Sequence, residues 1–229
     1  MVSMKNNVLV LGDGLLGREL INQTNWDYVS RSKDGFDINH LDEFILSNYD
    51  IVINCISHTD TYDKDRELHW NVNCKFVDKL IDYCNEHFIK LIHISTDYVY
   101  SNSIPFASEN DVPVHHNSWY GYTKLLSDGL IQLRSEDYLL IRCSHKPSPF
   151  VYDSAWIDYV GNFDYVDTIA TLIIDCINKD LSGVYNVGTD VKTMFDLANE
   201  TNVVESSFTP SHVPNNLSMD LTKLKSSLP

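Results

Sequence analysis

Three side chains near the middle of the sequence have the types and spacing to move a proton at a carbonyl group. Thr96 lies in IHISTDYVY and Tyr120 in YGYTK, 24 residues later, with Lys124 four positions beyond the tyrosine. A phenol can give or take the proton, and a neighbouring ammonium lowers its pKa from about 10. The threonine hydroxyl can hydrogen-bond the carbonyl oxygen. Positions i and i+4 share one face of a helix, so Tyr120 and Lys124 need a helix beneath them. Thr96 needs the end of a strand. Taken singly, such a threonine is more often a turn residue or cap, and such a tyrosine more often a core residue. Taken together, on a fold that holds them in register, they are candidates for catalysis.

A glycine pattern at the start of the chain supplies that fold. In NVLVLGDGLLGREL the apolar run Val8–Leu11 reads as a buried strand, and a helical pattern follows Gly12, Gly14 and Gly17 at once. In G-x-G-x-x-G the first glycine permits a tight turn and the second lets the backbone approach a pyrophosphate. The third allows close packing of helix on sheet, and the helix N-terminus receives the phosphates.

The elements that must position these groups alternate along the chain. Strands are expected at 7–12, 26–30, 50–55, 90–95, 138–143 and 183–187, and helices at 15–23, 41–47, 65–87, 118–133, 164–178 and 193–199. Within 65–87, Leu68, Val72, Phe76, Leu80 and Tyr83 recur at three to four residues, the helical period. This alternation predicts an α/β fold, a doubly wound parallel sheet of the Rossmann kind with helices on both faces. Residues 1–143 read as the dinucleotide-binding domain with the candidate catalytic residues. Residues 144–229 read as a mixed segment that completes the sheet and adds a small, reduced C-terminal substrate lobe. The segment 101–117 is polar and proline-bearing, a loop. The stretch 144–162 is irregular, and the tail from 202 has few apolar anchors, so only partial order is expected there.

Composition narrows the partners. With 229 residues and 43% hydrophobic content the chain can bury a substantial core. The net charge of −15 argues against nucleic acid as a partner. No apolar run approaches the roughly 20 residues that span a bilayer, so no membrane partner is expected. The first residues show no apolar core followed by a small-residue cleavage site, so no signal peptide is expected and a cytoplasmic location fits. Five cysteines, Cys55, Cys74, Cys84, Cys143 and Cys176, lack metal-ligand spacing and read as reduced packing thiols. His58, His93, His115 and His116 have no ligand spacing with carboxylates, so packing or surface roles are expected and no metal site. The run Asp63-Lys64-Asp65-Arg66-Glu67 reads as a solvated helix start with acids near the positive end of the dipole.

Charge also bears on the cofactor. An acid at the end of the second strand would bind the adenosine 2′-OH and favour NAD. Here Asp27 lies too early, and the strand ends in Ser30-Arg31-Ser32. Arg31 can form charge-assisted bonds to a 2′-phosphate, with both serines as donors and Arg18 as a second positive charge. NADP(H) is therefore expected to be preferred, with NAD(H) an alternative.

In this order the motifs resemble the extended short-chain dehydrogenase/reductases, and within them the dTDP-4-dehydrorhamnose reductase group. The matching pieces are LVLGDGLLGREL, FDI at 36–38, DIVINCISHTDTYDKDRE at 50–67, VN at 72–73, IHISTDYVYS at 92–101, YGYTK at 120–124 and LLIRCS at 139–144. FDYVDTIA at 163–170, GVYNVGTD at 183–190 and PNNLSMDLTKLK resemble later segments of the family, so the resemblance runs through nearly the whole chain. It implies reduction of a keto sugar, a 4-keto-6-deoxy sugar nucleotide, with Thr96, Tyr120 and Lys124 as the catalytic triad. Lys124 would hold the nicotinamide ribose. The resemblance also places Gly12, Gly14, Leu15, Leu16, Gly17, Asp37, Ile38, Cys55, Ile56, Ser57 and Asn73 at the dinucleotide, beside Arg31. It places Thr59, Tyr98 and Lys146 at the substrate. Asp97-Tyr98 stands where dehydratases of the family carry Asp-Glu, which favours a reductase. The absence of cysteine between Cys84 and Cys143 gives no support to an epimerase step. A homodimer is compatible with the resemblance.

One departure keeps a second reading open. The family carries a long insertion after LLIRCS with a basic residue for the nucleotide diphosphate. Here Phe163 follows soon after Ser144, no arginine occurs after Arg142, and Lys146 is the nearby cation. The alternative is a non-catalytic or regulatory dinucleotide-binding protein on the same scaffold, as known for some relatives.

Overall fold

The computed structural model describes residues 6–41, 44, 46–115 and 117–228. The first half runs β1 (Val8–Leu11), α1 (Leu15–Thr24), β2 (Asp27–Val29), α2 (Arg31–Asp34), β3 (Ile51–Asn54), α3 (Arg66–Trp70), a π-helical turn (Asn71–Lys75) and α4 (Phe76–Glu86). It continues with β4 (Lys90–Thr96), a 3-10 turn (Asp97–Tyr100), α5 (Trp119–Arg134) and β5 (Tyr138–Cys143). The second half adds β6 (His145–Lys146), β7 (Ser154–Trp156), β8 (Val160–Gly161), β9 (Asp164–Tyr165), α6 (Val166–Asn178) and β10 (Gly183–Asn186). It ends with β11 (Lys192–Thr193), α7 (Met194–Asn199), β12 (Glu205–Ser207), β13 (Asn216–Leu217) and α8 (Thr222–Ser227).

Six strands form a parallel sheet in the order β10-β5-β4-β3-β1-β2. The chain leaves β1 toward one edge and returns at β3 on the other side, so a switch point lies between β1 and β3, where such sheets take ligands at their carboxyl ends. Side chains of a strand alternate between faces. Accordingly Val8 and Val10 enter one core with α1 and α6, while Leu9 and Leu11 enter the opposite core with α4 and α5. Buried on both faces, these strands read as continuous apolar runs. Each fully buried Leu, Ile or Val contributes about 1.5–3 kcal/mol of apolar transfer, so the two cores hold the sheet edge rigidly under whatever sits on it.

The expected single helix over 65–87 is one rod with a π turn in its middle. Asp65 caps it, accepting from Leu68 N at 3.0 Å. The π turn brings Asn73 inward, and single π turns of this kind occur often at functional sites. Of the helix expected over 41–47, residues 42, 43 and 45 lie outside the described set, as does His116, and the described residues 41, 44, 46 and 47 are not α-helical.

The tail departs from expectation. β12 pairs with β7 and β13 with β8, and Leu217, Met219, Leu221 and Leu224 are buried. A few apolar residues suffice because the backbone is paired and each anchor is fully enclosed. The irregular 144–162 stretch likewise carries β6, β7 and β8, strands of two or three residues that have no periodicity to read. Together with α7 they enclose a third, aromatic core of Phe150, Tyr159, Phe163, Tyr165 and Met194. No helix among the described residues is long and apolar enough to cross a membrane.

The glycine turn is fixed by sterics. Gly12 has φ +93°, a left-handed conformation that penalises any Cβ. A Cβ at Gly17 would overlap the Gly12 carbonyl oxygen. Gly17→Ala is therefore expected to cost about 1–3 kcal/mol through forced backbone displacement. A calorimetric melting temperature unchanged from the parent protein would contradict this close packing.

Candidate active site

A cavity of about 620 Å³ opens at the carboxyl edge of β1, β3, β4 and β5. One wall is the glycine turn with Gly14, Leu15, Leu16 and Gly17, and beside it stand Cys55 and Ser57. Thr96, Asp97, Tyr98, Tyr120 and Lys124 form the floor, Thr59, Thr61 and Tyr62 one flank, and Lys146, Tyr152, Trp156 and Tyr159 the lobe side. Gly14 is the N-cap of α1 and offers no side-chain cap, so the first N–H groups of the helix remain for a ligand. The space a Cβ on Gly14 would enter is empty. Those features fit a pyrophosphate at this helix end.

The catalytic candidates meet as their spacing demands. Ser118 caps α5 through Gly121 N at 3.0 Å, which puts Tyr120 in the first turn and Lys124 one turn further. Thr96 ends β4 and its hydroxyl accepts from Tyr98 N at 3.1 Å, turning the chain into the cavity. Tyr120 stands with its ring 6.0 Å from that of Tyr98.

The electrostatics correct one expectation. Lys124 is not what sets Tyr120. Burial pushes the phenol above its ordinary value, with the Thr96 hydrogen bond pulling the other way. At neutral pH Tyr120 is a protonated phenol, the form that donates. Lys124 is only 1% exposed. Its Nζ lies 3.0 Å from His93 Nε2 and donates to the Ile94 carbonyl at 2.8 Å. Burial brings it down to about 8, against the pull of Asp128. The hydrogen bonds agree. Asn54 Oδ1 accepts from Ile56 N at 3.0 Å, so its amide NH2 faces His93 Nδ1 at 3.1 Å. A neutral ring then carries its proton on Nε2, against Lys124, an arrangement suited to an uncharged amine. His93 is fully buried, and burial above all holds it neutral.

Several groups that matter here were not expected. Asp128 continues the Tyr120–Lys124 stripe by one more turn. It accepts from Ser95 Oγ at 2.6 Å and Arg142 Nε at 2.9 Å, and Arg142 also donates to Tyr100 Oη. The i+4 spacing from Lys124 was the available signal for Asp128. Asp97 is buried, its Oδ2 has no hydrogen-bond partner, and burial raises it to about 6 while Lys146 pulls it back. Asp13, between the glycines, accepts from Ser32 Oγ at 2.8 Å and lies 4.0 Å from Arg18, which lowers its carboxyl.

Six expected ligand residues do not line the cavity. Gly12 and Ile56 sit behind the turn. Asn73 is buried and committed to the protein: its Oδ1 accepts from Ser57 Oγ and His58 N at 3.0 and 2.8 Å, and its Nδ2 donates to the His58 carbonyl and Thr123 Oγ1. It acts as a strut for the 57–58 loop. Arg31 begins α2 beyond β2, and Asp37 and Ile38 lie further on, with Asp37 bonded to Asn39. The histidine expectation changes as well, because His58, Asp63 and His69 converge on one flank.

Comparison with known proteins places the chain in a family. Residues 6–164 match the RmlD substrate binding domain. The chain belongs to that family. It is 30% identical over 178 residues to dTDP-4-dehydrorhamnose reductase of Mycolicibacterium smegmatis, covering 74% of this chain and 50% of that protein. It is 33% identical over 115 residues to a protein of Haloferax volcanii named "Probable low-salt glycan biosynthesis reductase Agl14", covering 49% of this chain and 35% of that one. The chain thus spans half or less of the length of these curated relatives. Its fold matches the crystal structure of dTDP-4-dehydrorhamnose reductase from Bacillus anthracis in complex with NADP, with TM-score 0.79, 21% identity, and 97% of this chain and 93% of that chain covered.

The buried lysine makes a direct test. In the cofactor-free protein the Lys124 side-chain NMR signal should titrate with a midpoint of about 8. Asp128→Asn removes a charge that favours the ammonium and should move the midpoint lower. A midpoint at the ordinary lysine value near 10.4 would contradict the assignment.

Proposed function

We propose that the chain is an NADP(H)-dependent oxidoreductase of the short-chain dehydrogenase/reductase type that reduces a ketone on a sugar, a nucleotide-linked 4-keto-6-deoxy sugar. In this reading residues 1–143 hold the dinucleotide and 144–229 complete the sheet and the substrate wall. The observation that carries the reading is one floor shared by Thr96, Tyr120 and Lys124, facing a glycine turn across a single cavity. The family and the names of its relatives support the same chemistry.

The reduced nicotinamide, when bound, supplies a hydride to the carbonyl carbon. Tyr120 gives its proton to the carbonyl oxygen, and the product is the alcohol. Thr96 holds that oxygen in line. Lys124 would hold the nicotinamide ribose and, when charged, would stabilise the phenolate left on Tyr120, which regains its proton from solvent. The free Asp97 Oδ2 accepts a sugar hydroxyl, which gives that buried atom the partner it lacks. Thr59, Tyr98 and Lys146 flank the sugar.

The charge pattern supports NADP(H) first and NAD(H) second. Arg31, Ser30 and Ser32 can bind a 2′-phosphate. Asp13 occupies Ser32 and can instead accept a 2′-OH, which leaves NAD(H) usable. Arg31→Ala should weaken NADPH by the value of a charge-assisted bond, about 1.5–3 kcal/mol or roughly tenfold to a hundredfold, and leave NADH little changed. Equal losses for both cofactors in calorimetric titrations would remove Arg31 from this role.

Tyr120→Phe deletes only the hydroxyl, so fold and cofactor affinity should persist. NADPH oxidation with dTDP-4-keto-L-rhamnose and related keto sugar nucleotides should drop by about 10²–10⁴-fold. Turnover of the variant within about twofold of an active parent, far below that range, would refute Tyr120 as donor. Tight NADPH binding without turnover of any keto sugar would favour the regulatory reading.

A further inference from the structure

On the flank of the cavity, three side chains from two separate segments bring together a donor set that the reductase reading does not use. His58 follows the Ser57 loop, Asp63 ends the next turn and His69 lies on α3. One ligand atom from each falls within 4.8 Å of the other two. His58 Nε2 is 2.9 Å from Asp63 Oδ2, and the two imidazole rings meet edge to face with centroids 4.5 Å apart. His69 is fully buried. Its Nε2 lies 3.3 Å from the Asp63 carbonyl oxygen, and its Nδ1 has no hydrogen-bond partner. A neutral ring that donates from Nε2 to a carbonyl carries a lone pair on Nδ1. That backbone bond is the orientation that metal-bound histidines commonly use for their second nitrogen.

We propose that His58, Asp63 and His69 form a binding site for a divalent first-row transition cation such as Zn2+, with water completing its coordination. Two imidazoles and one carboxylate suit such an ion, whereas Mg2+ and Ca2+ require oxygen ligands throughout. Zinc holds nitrogen and oxygen at about 2.0–2.2 Å, so ligand atoms of one tetrahedral site stand about 3.3 Å apart. The His58–Asp63 pair is already inside that spacing, and Asp63 is accessible enough to swing toward His69. The ion takes the place of the proton between His58 and Asp63 and gives the buried His69 ring a partner for its lone pair.

Its role follows from where the ligands sit. The 58–63 loop carries Thr59, Thr61 and Tyr62 into the cavity wall. Tyr62 bonds the hydroxyl of Tyr98 at 2.7 Å and stacks edge-on against His212 of the C-terminal lobe. An ion at this position ties the loop at both ends to α3 and fixes the flank on which substrate rests. It takes no part in the proton transfer at Tyr120.

The test uses the full chain stripped with EDTA and then titrated with Zn2+ alone. Calorimetry should give one ion per chain, and the melting temperature should rise with Zn2+ concentration, as ligand linkage requires. Co2+ in place of Zn2+ should show the visible absorption of a low-coordinate nitrogen and oxygen site. His58→Ala and Asp63→Ala, both at partly exposed positions, should keep the circular-dichroism spectrum and NADPH affinity of the parent. Both should weaken Zn2+ by more than the roughly 10–100-fold that loss of a supporting group alone produces. If His58→Ala fails to fold, His58→Gln serves the same purpose. A parent protein that binds no stoichiometric Zn2+, or variants that bind it as tightly as the parent, would overturn the proposal. Neither readout depends on turnover, so failure here and failure of the reductase reading are separately visible.

Discussion

A lysine nitrogen is held almost out of water at the carboxyl edge of a parallel sheet, and much of the molecule is arranged to keep it there. Burying an ammonium without partners is costly enough that the group would sooner lose its proton. Lys124 meets this constraint through its bond to the Ile94 carbonyl and the pull of Asp128 one helical turn away, and burial still lowers it to about 8. Asp128 in turn is buried, and it is tolerated because Arg142 and Ser95 satisfy it. Arg142 passes the chain of contacts to Tyr100, and Tyr100 to Asn186 on β10. The polar network therefore crosses three neighbouring strands beneath the cavity. Removing Arg142 leaves Asp128 buried without its ion-pair partner, which is costlier than the lost bond itself.

An acidic chain needs local means to hold the anionic cofactor proposed for it. With a formal charge of −15 the chain offers no broad positive field. Binding has to be local, through the open N-terminus of α1 and a small number of placed cations. The glycine turn serves this by geometry. Gly12 turns the chain, Gly17 lets α1 press against the turn, and the space over Gly14 stays empty. A carboxylate at Asp13 within the turn shows how finely the field is balanced, since it is held down by Ser32 and Arg18.

What the sequence disclosed follows from the range of the signals. All six sheet strands and the α5 register were legible, because both rest on patterns within a few residues: apolar runs, and Tyr120 to Lys124 at i+4. The Tyr120 ionisation was not, because it depends on how deeply the ring is buried, a property of the assembled fold. The strands β6 to β9 and the tail escaped notice because strands of two or three residues have no period, and their partners are distant in sequence, as with Ser154 and Glu205. His58 was read as a packing or surface histidine, without His69, for a similar reason. His58 lies in the loop before α3 and His69 on α3 itself, and the turn at Asp63 is what folds one onto the other. Asn73 shows the opposite error. The motif around it was read correctly, but its side chain supports the loop and does not face the cavity.

The reduced lobe becomes intelligible in these terms. A larger lobe could supply its own core from helices. This chain instead closes the cavity with aromatics on short strands, Tyr159 stacked on Phe163 and Trp156 tilted against Tyr159. Large rigid rings bury much area with few rotatable bonds, so a small lobe gains a defined wall at low entropic cost. The lobe is then tied to the N-terminal half through side-chain contacts at the cavity mouth, from Tyr98 through Tyr62 to His212. Tyr62 itself remains 43% exposed, so that bridge depends on the loop that carries it. That loop is fixed at 57–58 by Asn73 and at 63 by contacts to His58 and His69. The stability of this cavity wall is therefore decided outside the lobe, by the polar groups that anchor the 57–63 loop.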